Sequence, residues 1–116
     1  MMQYLLMIYG EEAAMQNRSQ EDIGRVVGAF MAYTEAVKSA GVLVGSNRLR
    51  PTNTATTVRL ADGKTQVLNG PYAETREQLG GYYLIDVPDL DAALSWAARC
   101  PGAEYGTIEV RPVWEM

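Results

Sequence analysis

Two segments constrain this chain more than anything else in it. Residues 2–9 and 81–87 are apolar on both alternating sets of positions: Tyr4, Leu6 and Ile8 against Leu5, Met7 and Tyr9 in the first, Tyr83, Ile85 and Val87 against Tyr82 and Leu84 in the second. Successive side chains of a strand point to opposite faces, so a strand with two apolar sets needs cover on both sides. A fold for this sequence must therefore set these two strands at the centre of a sheet and put something apolar above and below them.

The segments between them read as two helices, two outer strands and a hairpin. Ser19 is an N-cap with Asp22 three residues on, and a helix is predicted from there to about Ala40. Its apolar stripe is Ile23, Val26, Val27, Phe30, Thr34 and Val37, with Glu21 and Arg25 paired on the far side and Gly41 as the stop. Gly24 and Gly28 lie inside it at about 1 kcal/mol each against Ala, as expected where another backbone or ring comes close. Residues 10–18 read as a loop and 42–44 as a short strand. Residues 54–60 and 64–68 flank Asp62-Gly63, the sequence of a type I′ hairpin turn. Asn69 to Tyr72 forms another turn, and 73–79 is a polar connection with room for one helical turn. Asp89 caps a second helix with a stripe of Leu90, Ala93, Leu94 and Ala97, which Pro101 ends. Residues 106–114 alternate as a last strand.

The order is β-α-β, hairpin, β-α-β, in one domain covering residues 1–116. Right-handed crossovers fold it into an α+β, ferredoxin-like split βαβ sandwich with an extra β-hairpin. The first and third core strands become central and the last an edge, where Pro112 is tolerated for want of an N–H partner. Helices on one side leave the other side of the sheet bare, and a monomer rarely exposes so large an apolar patch. The expected cover is a second copy, giving a homodimeric α/β barrel; the alternative cover is internal, by the hairpin and residues 69–80.

Charge and composition exclude several classes. The net charge is −4 and the ten basic residues are scattered, so the clustered positive charge of a nucleic-acid binder is missing. No apolar run approaches the ~20 residues of a membrane span, and the N-terminus has no basic region or cleavage site. One cysteine, Cys100, cannot form an internal disulfide, which fits a reducing cytoplasm; beside Pro101 it reads as a helix-end filler. There is no histidine. That removes Ser-His-Asp and Cys-His nucleophile pairs and most zinc and non-haem iron sites, so no metal or cofactor is expected and acid–base work falls to carboxylates, Tyr, Lys or Cys.

Asn69-Gly70-Pro71-Tyr72, then Ala73-Glu74-Thr75-Arg76-Glu77, then Gly80-Gly81-Tyr82-Tyr83 closely resembles the YCII-related family in its DGPF-domain branch, named for Asp-Gly-Pro-Phe. Residues 4–9, 40–43 and 110–112 resemble it too, so the likeness spans essentially the whole chain. It implies the ferredoxin-like dimeric α/β barrel reached above. It also implies an association with extracytoplasmic-function sigma factors. Some members of the wider family carry a His-Asp pair, which a chain without histidine cannot have, and here Asn69 and Tyr72 stand for Asp and Phe of the name motif.

The residues that could bind a ligand gather at 69–77. Asn69 offers an amide, Tyr72 a ring and hydroxyl, Arg76 a guanidinium and Glu74 and Glu77 carboxylates, with Arg48 joining from the loop before the hairpin. Ordinary turn chemistry and self-satisfied surface charges would explain the same residues. Three functions remain open: a small-ligand-binding homodimer, accessory to sigma-factor regulation; a cofactor-independent isomerase or lyase with Glu74 or Glu77 as base and Arg76 or Tyr72 as helper; and a protein-interaction module using an exposed edge strand.

Overall fold

The computed structural model describes residues 1–115 and consists of β1 (Met2–Gly10), α1 (Glu12–Gln16), α2 (Gln20–Ser39), β2 (Leu43–Arg48), a 3₁₀ turn (Thr52–Thr54), β3 (Thr56–Ala61), β4 (Lys64–Asn69), β5 (Gln78–Val87), α3 (Leu90–Arg99), α4 (Gly102–Tyr105) and β6 (Thr107–Pro112). Strands β2-β5-β1-β6 form one antiparallel sheet in that order, and β3-β4 form a separate two-stranded ribbon. The two doubly apolar strands, β1 and β5, are central as their pattern requires. Pro112 sits on the β6 edge opposite Tyr4. This is the ferredoxin-like α+β topology.

Local chemistry sets the element ends. Ser19 Oγ accepts from the Asp22 N–H at 3.1 Å, and Asp89 Oδ1 from the Ala92 N–H at 2.9 Å, each satisfying a donor the helix leaves free. Gly41, at φ +75°, ends α2 in the left-handed conformation that costs glycine least. Asp62 and Gly63 have φ of 51° and 74°, the two positive angles of a type I′ turn.

Both long helices pack on one face of the sheet. The core joins Tyr4, Leu6, Tyr83, Ile85 and Val87 of the central strands to Tyr33 and Val37 of α2 and to Ala93, Ala97 and Cys100 of α3. Two buried tyrosines are pinned by their hydroxyls. Tyr33 donates to the Trp96 carbonyl at 2.7 Å, while Thr34 donates to the Phe30 carbonyl, which leaves Tyr83 donating to Thr34 at 2.6 Å. The Tyr33 and Tyr83 rings meet edge to face at 5.1 Å. Desolvation pushes both hydroxyls and the Cys100 thiol above their ordinary ionisation range.

The structure corrects several details. Residues 12–16 are a helical turn rather than loop, and β2 runs on to Arg48. Residues 73–77 hold no helical turn, and β6 ends at Pro112, leaving Trp114 exposed. In α2 the buried line is Val26, Tyr33 and Val37 with Phe30 between, spaced 4-3-4, while Val27 faces out; the stripe is rotated because Tyr33 can bury its ring once its hydroxyl finds Trp96. In α3 the small residues Ala93 and Ala97 face the sheet, with Trp96 and Cys100, and Leu90 and Leu94 are about half exposed. Arg25 pairs with Asp22 at 3.1 Å rather than with Glu21. Nothing lies within 4 Å of where a Cβ would sit on Gly24 or Gly28, so within one chain no ring or backbone approaches them.

Among the described residues nothing covers the opposite face of the sheet. Leu5, Met7 and Tyr9 of β1 and Tyr82 and Leu84 of β5 lie there, each only partly buried by its neighbours. The hairpin does not fold over them: Val58, Leu60 and Val67 are 60–71% exposed. The result is a slab of 47 × 44 × 19 Å with a radius of gyration of 16.1 Å, where a compact chain of this length has about 13 Å. Its accessible surface is 8245 Å² for 12.8 kDa, roughly 2,000 Å² more than a compact monomer of that mass exposes.

Two outcomes are expected from this packing. The native state holds Tyr33, Tyr83 and Cys100 neutral while the unfolded chain releases their protons once the pH passes the ordinary values of 9.0 for the thiol and 10.0 for tyrosine. Unfolding free energy measured against pH should therefore lose this contribution from about pH 9 upward and keep it below, and Tyr33→Phe should flatten the alkaline fall. Among the glycines, a Cβ on Gly106 would overlap the Tyr9 carbonyl oxygen, and one on Gly81 would lie 2.8 Å from the Asn47 carbonyl oxygen. Gly106→Ala should destabilise by more than ~2 kcal/mol in denaturant titration, whereas Gly24→Ala and Gly28→Ala should each stabilise by up to ~1 kcal/mol.

Candidate functional site

The sheet register gathers four chain segments at one end. Gly10 is opposite Gln78, Tyr9 opposite Thr107, and Arg48 opposite Gly81, so the end of β1, the start of β5, the start of β6 and the end of β2 lie together. A knot of hydrogen bonds fixes the loops there. The Gln78 side chain accepts from the Glu12 N–H at 3.0 Å and donates to the Thr75 carbonyl at 2.6 Å, tying the start of α1 to the loop before β5. The Glu12 carboxylate accepts from both the N–H and the hydroxyl of Thr52, each at 2.7 Å, and so caps the 3₁₀ turn. Thr107 donates to Glu77 at 2.8 Å, which joins β6.

Above this knot lies an open cleft of about 390 Å³ lined by Glu11, Glu12, Ala13, Gln16, Arg76 and Gln78. Arg76 stands at its wall. Its Nε donates to Glu11 at 3.2 Å, the side chain is 91% exposed, and its terminal nitrogens have no partner among the described residues. A guanidinium fixed through Nε presents those two nitrogens as a fork for a planar carboxylate. Among the described residues no group of three or more His, Cys, Asp or Glu is placed to hold a metal ion.

The residues singled out from sequence fall into two groups. Arg76 and Glu77 belong to this end of the sheet, with Glu77 engaged by Thr107. Arg48, the last residue of β2, is exposed at the same end and has no side-chain partner among the described residues. Glu74 is exposed on the loop. Asn69 and Tyr72 go with the hairpin instead: Asn69 ends β4 opposite Thr56, and the Tyr72 ring packs under the Arg59 guanidinium at 5.6 Å. Sequence reasoning missed Glu11, Glu12, Thr52 and Gln78. Glu12 meets Gln78 and Thr52 from 66 and 40 residues away, a proximity with no local signature; the one available sign was an acidic pair directly after Gly10 at a strand end.

Comparison with known proteins agrees with the fold. The model of the YCII-related domain matches residues 2–116. An uncharacterized protein of Rhizobium meliloti (strain 1021) is 40% identical over 114 residues, covering 97% of this chain and 92% of its own. The chain therefore belongs to the YCII-related family. The solved structure of a 5-chloro-2-hydroxyhydroquinone dehydrochlorinase from Burkholderia phenoliruptrix AC1100, in complex with 2,5-dihydroxybenzoquinone, superposes with a TM-score of 0.58, covering 98% of this chain and 94% of the other. At 14% identity that likeness establishes a shared fold. No helix among the described residues is long and apolar enough to cross a membrane.

The two kinds of residue at this end should separate on substitution. Arg76→Ala removes an exposed ion pair and should change stability by less than ~0.5 kcal/mol. Glu12→Ala leaves Thr52 without its acceptor and should cost ~1–2 kcal/mol in thermal or urea unfolding. Equal losses in both would assign Arg76 to structure rather than to a ligand.

Proposed function

We propose that this protein is a homodimer that closes its two bare sheet faces against each other and binds a small carboxylate-bearing molecule at the Arg76 cleft. The observation that carries the binding reading is Arg76 itself: a guanidinium held by Glu11 at 3.2 Å, almost fully exposed, with its fork open to a cleft of about 390 Å³. The hydrogen bonds that tie the loops beneath it support this reading, since a binding site needs preorganisation. Arg48 adds positive charge at the same end of the sheet. Dimer closure is supported by the uncovered apolar set of Leu5, Met7, Tyr9, Tyr82 and Leu84. A ligand sensor of this kind is compatible with the accessory role beside sigma factors that the family resemblance implies.

The fold shared with a dehydrochlorinase keeps a lyase or isomerase as the second reading. The geometry favours it less. A general base needs a free carboxylate aimed into a site, whereas of the two carboxylates lining the cleft Glu11 is paired with Arg76 and Glu12 accepts twice from Thr52, Glu77 is engaged by Thr107, and Glu74 lies exposed on its loop.

Native mass spectrometry of freshly purified protein reads both parts of the proposal. The expected result is a dimer of the 12.8 kDa chain that takes up a small carboxylate from a panel of simple carboxylic acids, with uptake abolished by Arg76→Ala. Uptake undiminished in Arg76→Ala would contradict the site, and conversion of the bound acid in the same sample would move the protein to the enzyme reading.

A further inference from the structure

The hairpin has two unlike faces, and among the described residues nothing covers the uncharged one. Strict alternation along β3 and β4 puts Thr56, Val58 and Leu60 with Thr65, Val67 and Asn69 on one side, since Val58 pairs with Val67, Leu60 with Thr65 and Thr56 with Asn69. That side carries no charge at all. The other side carries Thr57, Arg59, Ala61, Lys64, Gln66 and Leu68, with Tyr72 packed under Arg59 and Leu68, 59% exposed, as its one large aliphatic. The uncharged side exposes Val58, Leu60 and Val67 at 65%, 71% and 60%. An isolated two-stranded ribbon is marginally stable in water, and exposed ribbon edges invite pairing or aggregation, so a patterned apolar face on such a ribbon calls for a cover.

The surface area indicates how large the cover is. The sheet's bare face, four strands about 4.8 Å apart and up to ten residues long, has a footprint of roughly 650 Å². The chain exposes roughly 2,000 Å² more than a compact monomer would. Closing sheet on sheet therefore leaves much of the excess unburied, even with the relief of side chains counted. The hairpin is the other large uncovered apolar surface. An excess of that size is what each partner of an extensive, permanent dimer buries, well above the ~800 Å² of a standard contact.

We propose that β3-β4 is a dimerisation arm, whose uncharged face of Val58, Leu60 and Val67 lies on the second copy of this chain while Arg59, Lys64 and Gln66 face water. The arm rests on the homodimer reading and goes beyond it: the dimer is held by reciprocal embrace as well as by sheet contact, and the two arms make one isologous interface.

Sedimentation velocity over a dilution series, with parallel trypsin digestion, tests the arm. Wild type is expected to dimerise. V58E/V67E, which buries charge only if the arm docks, is expected to weaken the dimer by at least about tenfold, while Q66E on the opposite side leaves it unchanged. Cleavage of wild type after Arg59 and Lys64 should be slow above the dimer dissociation constant and accelerate below it, a readout that needs no variant. A wild-type dimer that V58E/V67E does not weaken, with cleavage independent of concentration, overturns the arm and leaves the sheet-face dimer standing. A wild type that sediments as a monomer throughout overturns both.

Discussion

The fold is governed by the need to cover two central strands that are apolar on both sides. One set of side chains, Tyr4, Leu6, Tyr83, Ile85 and Val87, is covered by α2 and α3. The helices can cover that side because each split βαβ crossover returns on the same face of the sheet. The opposite set, Leu5, Met7, Tyr9, Tyr82 and Leu84, follows inevitably from the strand period once the first set is buried, and the described residues form no third layer over it. A slab only 19 Å thick is the consequence. The tyrosine pair belongs to the same constraint. Tyr33 and Tyr83 fill the helix–sheet interface with rings, and their hydroxyls are satisfied locally by the Trp96 carbonyl and Thr34, so ring volume is buried without an unpaired polar atom.

The site at the Gly10 end depends on this frame. Strands β1, β2, β5 and β6 all start or stop there, and their connections are clamped by Glu12, Gln78 and Thr52. The clamp is made of short bonds between neutral and charged groups and is structural. Arg76 and Glu11 rise from it into solvent as an exposed ion pair on a loop that the clamp positions.

Much of the architecture was legible in the residues. The doubled apolar pattern identified the central strands, Pro112 marked the edge, Asp62-Gly63 gave the hairpin turn, and Ser19 and Asp89 gave both helix starts. Helix rotation was less legible. Placing Val27 rather than Tyr33 on the buried line of α2 follows from reading a tyrosine as polar, and only the tertiary contact with Trp96 turns it inward. In α3 the predicted stripe holds for Ala93 and Ala97, which face the sheet, while Leu90 and Leu94 are about half exposed. The candidate cluster was legible only in part: Arg76 and Glu77 of the motif do lie at one end of the sheet, but their partners Glu11 and Thr107 come from distant segments, and Asn69 and Tyr72 travel with the hairpin although they are close in sequence. Sequence proximity at 69–77 is not spatial proximity, because the β4 strand ends where the loop to β5 begins.

The central claim is that the bare sheet face is covered by a second copy of the chain. Small-angle X-ray scattering of the wild-type protein at several concentrations tests it most directly, since forward scattering gives mass and the low-angle slope gives size. The account predicts a particle of twice 12.8 kDa whose radius of gyration is well below that of two slabs joined end to end. A particle of 12.8 kDa with a radius of gyration near 16.1 Å at every concentration would contradict it.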